Sequence, residues 1–275
     1  VPVLVTGAEH GAGLAAVTAL VRRGGDVRAV LDPTRAPEGL VQRLRGAGVK
    51  TARSALDDAT LLEQACRDAH TVVHAAADPL TDPDELLADA ATVVEATTQA
   101  QVSRIVLLSH LGAQAEAANP WLAALGEAEL LVTQAPTVTV VIRRALTYGL
   151  DDALTHALAE GAPGADPDAL HAPLWAGDLA AAIVAADARD APGVPHLALT
   201  LGGPRHASLG ELTALLGGQI AAGPGSRLPD GSSLPAHAVD LLSRDLLPDR
   251  DAPCAGTSPE TGGAQVRRAR DDGAG

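Results

Sequence analysis

The chain of 275 residues is long enough for one large domain, or for one domain with an appended lobe. Its formal net charge of -14 argues against a nucleic-acid or anionic-membrane partner, and no apolar run approaches the length of a membrane span. Cys66 and Cys254 make neither a disulfide framework nor a metal spacing, and the opening residues read as strand and turn rather than as a secretory leader, so a cytoplasmic protein is expected.

The first fourteen residues set the pattern. An apolar strand ends in Thr6-Gly7-Ala8-Glu9-His10-Gly11-Ala12-Gly13, and a small-residue helix at 13–24 follows at once. Gly7 permits the tight turn, Gly11 lets the backbone approach a pyrophosphate, and Gly13 lets the helix pack closely on the sheet. The helix N-terminus offers free N–H groups and a partial positive charge to the phosphates. Glu9 is expected to face outward, where it does not repel phosphate, and His10 either touches the pyrophosphate or faces solvent. A second strand at 27–31 ends at Asp32, about where a dinucleotide fold places the acid that bonds the adenosine ribose. Asp32 therefore points to NAD(H), although an Asp before Pro33 also starts turns. Arg35 and Arg53 are close enough in sequence to hold a 2′-phosphate.

Further helices are expected at 37–47, 58–68 and 83–100, with strands at 49–52, 71–74 and 104–108. Asn119 caps a helix that starts at Pro120 and runs to Gln134, and a sixth strand lies at 137–142. Alternating strands and helices predict a doubly wound parallel sheet, an α/β Rossmann core over 1–150, with ligands at the carboxyl ends of its strands. Beyond it, 151–253 reads as a substrate lobe or lid with returning core elements at about 172–200. Within this lobe are a helix near 151–160, a loop at 161–169, a strand or lid at 170–175, a helix at 177–188 and a strand at 195–200. A helix capped by Ser208, a loop at 221–234 and a short helix at about 236–246 complete it. Residues 254–275 read as a disordered tail.

These residues resemble the short-chain dehydrogenase/reductase superfamily, in particular its extended and atypical, NmrA-like branch. The resemblance rests on Thr6-Gly7-x-x-x-Gly11-x-Gly13, Val73-His74-Ala75-Ala76-Ala77, Val106-Leu107-Leu108-Ser109, Ile142-Arg143 through Thr147-Tyr148-Gly149, and Trp175-Ala176-Gly177-Asp178-Leu179-Ala180. It implies a nicotinamide cofactor on Gly7, Glu9, His10, Gly11, Ala12, Gly13, Asp32, Arg35, Leu56, Ala75, Ala76, Ala77 and Leu108. NADP(H) is slightly preferred over NAD(H), following the nearby arginines and the habit of biosynthetic reductases.

The family's usual chemistry needs a Ser, a Tyr and a Lys, and this sequence cannot assemble them. Its only Lys, Lys50, starts an early strand, and its only Tyr, Tyr148, follows the sixth strand; Trp121 and Leu125 stand where the family's helix carries Tyr and Lys. Ser109, His110 and Tyr148 are the remaining catalytic candidates, with Leu111, Gly112, Trp121, Thr147 and Trp175 facing substrate. Two functions follow. One is an NAD(P)H-dependent ketoreductase for a bulky aromatic, polyketide-like ketone such as an antibiotic pathway uses, taking its proton from a substrate phenol, water or His110. The other is a catalytically inactive, NAD(P)-sensing regulator of the NmrA-like kind. The partner is a small molecule, the protein a monomer or homodimer, and no metal ligand is assigned. His74 reads as a satisfied core histidine, and Asp178 as a helix cap.

Overall fold

A computed structural model describes residues 1–9, 11–149, 153–159, 164–189, 195–216 and 234–248. His10, the loop at 221–233 and the tail from 254 lie outside them. In chain order the core runs β1 (Pro2–Thr6), α1 (Gly11–Arg22), β2 (Asp26–Leu31), α2 (Glu38–Gly46), β3 (Lys50–Arg53), α3 (Ala59–Cys66), β4 (Thr71–His74) and α4 (Pro83–Gln99). There follow β5 (Arg104–His110), α5 (Pro120–Gln134), β6 (Val138–Arg144) and the two-residue β7 (Thr147–Tyr148). The remainder comprises α6 (Ala153–Ala159), β8 (Leu170–His171), β9 (Leu174–Trp175), α7 (Ala176–Ala188), β10 (His196–Leu201), β11 (Ala207–Ser208), α8 (Leu209–Leu215) and α9 (Ala236–Leu242).

Seven strands form one parallel sheet in the order β10-β6-β5-β4-β1-β2-β3, the doubly wound Rossmann arrangement. Strands buried on both faces need continuous apolar runs. β4 and β5 meet this need: every one of their residues is buried. With no Met or Phe in the chain, Leu, Val, Ile and Ala fill the core, and Trp121 is its one large aromatic. The helix starts follow local chemistry. Asn119 Oδ1 accepts the Trp121 and Leu122 amides at 3.0 and 3.1 Å, and Ser208 with Glu211 forms a capping box on α8. Asp178 lies in the first turn of α7 but does not cap it; the N-cap residue is Trp175, which makes no side-chain cap bond.

Pairing runs further than local composition suggests. β5 and β6 continue past their apolar stretches, so that Ser109 pairs with Arg143 and His110 with Arg144. Polar strand ends look like loop in sequence, yet pairing with β6 keeps the end of β5 in the sheet, and β6 itself is paired on both sides by β5 and β10. Two small ribbons build the edge of the site: Thr147–Tyr148 beside Leu174–Trp175, and Leu170–His171 against Ala207–Ser208. No helix among the described residues is long and apolar enough to cross a membrane.

Candidate dinucleotide and substrate site

The glycine turn explains itself sterically. Gly7 has φ +75°, and a Cβ there would lie 2.7 Å from the Ala76 backbone; a Cβ on Gly13 would lie 2.1 Å from the Gly7 carbonyl oxygen. Strand end, turn and first helical turn thus approach one another more closely than any side chain allows. Glu9 departs from its expected outward orientation, since its Oε2 is buried. Gly11 and Ala12 open α1 and, with Ala75, Ala77, Asp78, Arg144 and Leu154, enclose a small cavity of about 30 Å³. Ala75–Ala77 are the small residues that leave this space at the end of β4.

On the far side of the turn, Asp32 Oδ1 accepts the Thr34 amide at 2.7 Å and the Thr34 hydroxyl at 2.6 Å. Burial raises its pKa, but these bonds outweigh burial and hold the carboxyl below its usual range. Both candidate arginines are paired with carboxylates at the surface. Arg35 Nη2 is spent on both Glu85 oxygens at 2.7 and 2.8 Å, and Arg53 on Glu38 at 2.7 Å and the Pro33 carbonyl at 3.1 Å. Asp89 is pushed up to about 7, by burial first and then by Glu85, Asp32 and Asp57, with Arg35 opposing. The adenosine side of the site is therefore acidic. Leu56 packs in a satellite core with Val30 and Ala76.

The expected catalytic pair is sealed inside. Ser109 is fully buried and donates at 2.5 Å to Glu129 Oε1, a carboxylate that also accepts from Arg143 Nε and Nη2. His110 is 1% exposed; its Nδ1 lies 3.0 Å from the Leu111 carbonyl and its ring stands edge-on to Trp121 at 5.6 Å. Burial, reinforced by the Arg144 cation, pushes its pKa down to about 3, so it stays neutral and cannot act as an imidazolium acid near neutral pH. Trp121 is likewise fully buried, donating Nε1–H to the Asp78 carbonyl at 3.0 Å. It backs the small cavity rather than facing substrate. Leu108 is core, Leu111 is core, and Gly112 packs under Leu246 and Leu122, so these three line neither cavity. Lys50 sits at the opposite end of the sheet, paired with Asp26 at 2.9 Å.

Arg144, which the motif pattern did not single out, occupies the centre instead. It is 6% exposed, donates to the Ala77 carbonyl at 2.9 Å and to Thr147 Oγ1 at 3.3 Å, and lines the small cavity. A permanent cation thus stands among the alanines that would flank a nicotinamide. The one sequence signal for it was position, just after the apolar part of a strand at the ligand end of the sheet.

Beyond Arg144 a larger cavity of about 940 Å³ opens into the lobe. It shares Leu146 and Thr147 with the small one and carries Tyr148, which is 44% exposed. Trp175, half exposed, rests on Gly149 and Gly177 beside Tyr148 but does not line this cavity. No group of three or more His, Cys, Asp or Glu among the described residues could hold a metal.

His74 is structural: its Nδ1 shares a 2.8 Å bond with Thr6 Oγ1, and burial lowers its pKa from 6.5 to about 4. The unfolded chain takes up a proton at this position below pH 6.5 and the folded one does not until about 4, so stability is lost as pH falls through that window. Urea unfolding across this range is expected to show wild type losing about 1.4 kcal/mol per pH unit more than His74→Gln. Parallel curves contradict a neutral buried imidazole.

No curated protein matches the chain in sequence. Among solved structures it is similar in fold to the UDP-glucose 4-epimerase of Thermus thermophilus in complex with NAD, at 20% identity and TM-score 0.66, covering 90% of this chain and 94% of that one. It also resembles DesIV, the dTDP-glucose 4,6-dehydratase of Streptomyces venezuelae with NAD and TYD bound, at 14% identity and TM-score 0.66, over 85% and 87% of the two chains. Pen from Bacillus thuringiensis superimposes with TM-score 0.68 at 15% identity, over 85% and 81%. The profile of the NAD(P)H-binding family matches residues 7–149, more than half of the chain and the segment that runs from the glycine turn to the end of β7. With the strand-turn-helix and the acid after β2 in place on a doubly wound Rossmann sheet, the chain belongs to the NAD(P)H-binding family.

Proposed function

We propose that this protein is an NAD(H)-dependent ketoreductase of the atypical, NmrA-like branch, acting on a bulky aromatic carbonyl compound. The observation that carries the reading is the junction of the two cavities at Leu146 and Thr147, with Arg144 on the cofactor side and an open apolar chamber beyond. A protein that only senses a dinucleotide has no need of such a chamber next to the nicotinamide position.

The chain's residues fit the cofactor: the glycine cradle excludes any Cβ, the α1 N-terminus supplies N–H donors, and Asp32 is an ionised acceptor for ribose hydroxyls. Bound there, the cofactor supplies the hydride. The small cavity offers about the space of one water, so admitting the ring calls for an outward shift of the wall at Leu154. The preference for NAD(H) rests on Arg35 and Arg53 being paired with carboxylates and on the electrostatic coupling of Asp32, Asp57 and Glu85 with Asp89, which marks this end of the site as acidic. This differs from the slight leaning to NADP(H) that followed the nearby arginines and the habit of biosynthetic reductases.

In this reading Arg144 holds the carbonyl oxygen and stabilises the negative charge that develops when hydride reaches carbon. The C=O π pair moves to oxygen, and the proton comes from a neighbouring substrate phenol or from water, because Ser109, His110 and Trp121 are sealed from the cavity. Tyr148, on the wall of the chamber, hydrogen-bonds or stacks on the aromatic body. The sealing of the Ser109–His110 pair also suits the second reading, a nucleotide-sensing regulator.

Titration of the purified protein with NADH and NADPH, followed by a phenolic aromatic ketone while the nicotinamide absorbance is monitored, tests the proposal. NADH is expected to bind at least about tenfold more tightly than NADPH and to be consumed. Binding without consumption favours the regulator, and tighter NADPH overturns the cofactor assignment.

A further inference from the structure

Resting on the ketoreductase reading for its location, one feature of the large chamber points to the substrate's chemistry. Arg205 and His206 stand side by side on its wall, in the loop between β10 and β11, and both are exposed. Neither makes a hydrogen bond or ion pair with any of the described residues, in a chain whose net charge is -14. Glu211 shares the lining but is committed elsewhere: its Oε2 accepts the Ser208 amide at 2.8 Å in the capping box of α8. The rest of the lining is largely apolar, with Leu158, Leu212 and Leu215 among its residues.

The loop that carries Arg205 and His206 is fixed at both ends. At its start the Gly203 amide donates to the Ala172 carbonyl at 2.9 Å, and a Cβ on Gly203 would meet the Pro173 carbonyl oxygen at 1.9 Å. At its end Ala207 and Ser208 pair with His171 and Leu170, and Ser208 at once caps α8. The anchored loop places the backbone of Arg205 at the chamber wall, so an anion bound there need order only the side chain and not a mobile segment. A cation that makes no ion pair with the described residues, on the wall of a largely apolar chamber, offers a place for an anion attached to an apolar body.

We propose that the substrate bears a carboxylate, remote from the carbonyl that is reduced, and that Arg205 with His206 beside it is the specificity site for that group. A single permanent cation on a mostly apolar wall matches one carboxylate better than a diphosphate, which calls for several cations or a helix N-terminus.

The test compares (acetylhydroxynaphthyl)acetic acid with its methyl ester on the NADH-loaded protein. Direct binding is measured by calorimetry in parallel with turnover, so that a failure of catalysis leaves the binding result standing. Wild type is expected to bind the acid about tenfold or more tightly than the ester. Arg205→Ala should raise Kd and KM for the acid by a similar factor, leave the ester unchanged and leave kcat nearly unchanged. Arg205→Lys should recover part of the discrimination. Equal binding of acid and ester by wild type, unchanged discrimination in Arg205→Ala, or tighter binding of uridine diphosphate than of the acid overturns the proposal. If turnover is absent while acid selectivity through Arg205 is present, the ketoreductase reading fails and the anion site stands.

Discussion

Gly13→Ala is expected to weaken NADH binding by at least about tenfold and to destabilise the fold by about 1–3 kcal/mol or more. The added methyl would sit 2.1 Å from the Gly7 carbonyl oxygen, 2.6 Å from its carbon and 2.9 Å from the Ala8 Cα, all backbone atoms. No flexible side chain can move aside, so α1 must back away from β1. That movement carries with it the N–H groups at the start of α1, which the phosphates need in fixed positions. It also opens the contact through which Ala16, Val17 and Leu20 fill the core above the sheet. NADH fluorescence titration and urea unfolding measure the two effects separately. Wild-type affinity in a folded Gly13→Ala protein shows that the dinucleotide does not use this turn.

Arg144→Met has the second large expected effect, a fall in kcat of about 10²–10³ with NADH affinity changed by less than about threefold. The substitution keeps much of the side-chain volume but removes the buried cation from the junction of the two cavities. It also leaves the Ala77 carbonyl and Thr147 without a donor they use now, so some stability is lost as well. A structural role alone would lower Tm and the active fraction together without selectively lowering kcat per folded molecule. Arg144→Lys, which retains charge but not the planar fork, is expected to recover part of the rate. A folded Arg144→Met protein with wild-type kcat removes Arg144 from the chemistry.

How far the sequence carried these conclusions depended on distance along the chain. The glycine turn was legible because its strand, bend and helix are contiguous, and the steric reasons assigned to Gly7 and Gly13 reappear in the structure as forbidden Cβ positions. The parallel sheet was legible for the same reason: each apolar run and each amphipathic helix announces itself locally. Ser109 and His110 were misread because what seals them lies elsewhere. Glu129, from the middle of α5, closes over Ser109, and Trp121 covers His110, contacts that no local spacing reveals. Arg144 was missed by the complementary error. Strand periodicity says that Arg143 and Arg144 face opposite sides but not which side holds the cavity; Arg143 turned to Glu129 and Arg144 to the site. For the arginines near Asp32, sequence shows the charges and hides their partners, Glu85 and Glu38.

What remains is a cofactor site without the usual proton donor, and a chamber beside it whose wall combines apolar surface with the Arg205 cation. Hydride transfer across the Leu146–Thr147 junction is the claim on which the account turns, and isotopic labelling tests it most directly. NADH deuterated at the transferring carbon is incubated with the protein and a phenolic aromatic keto acid, and the product is analysed by mass spectrometry. One deuterium on the new carbinol carbon for each NADH oxidised is the expected result; NADH that binds at the glycine turn and delivers no deuterium to any such ketone contradicts hydride transfer at this junction.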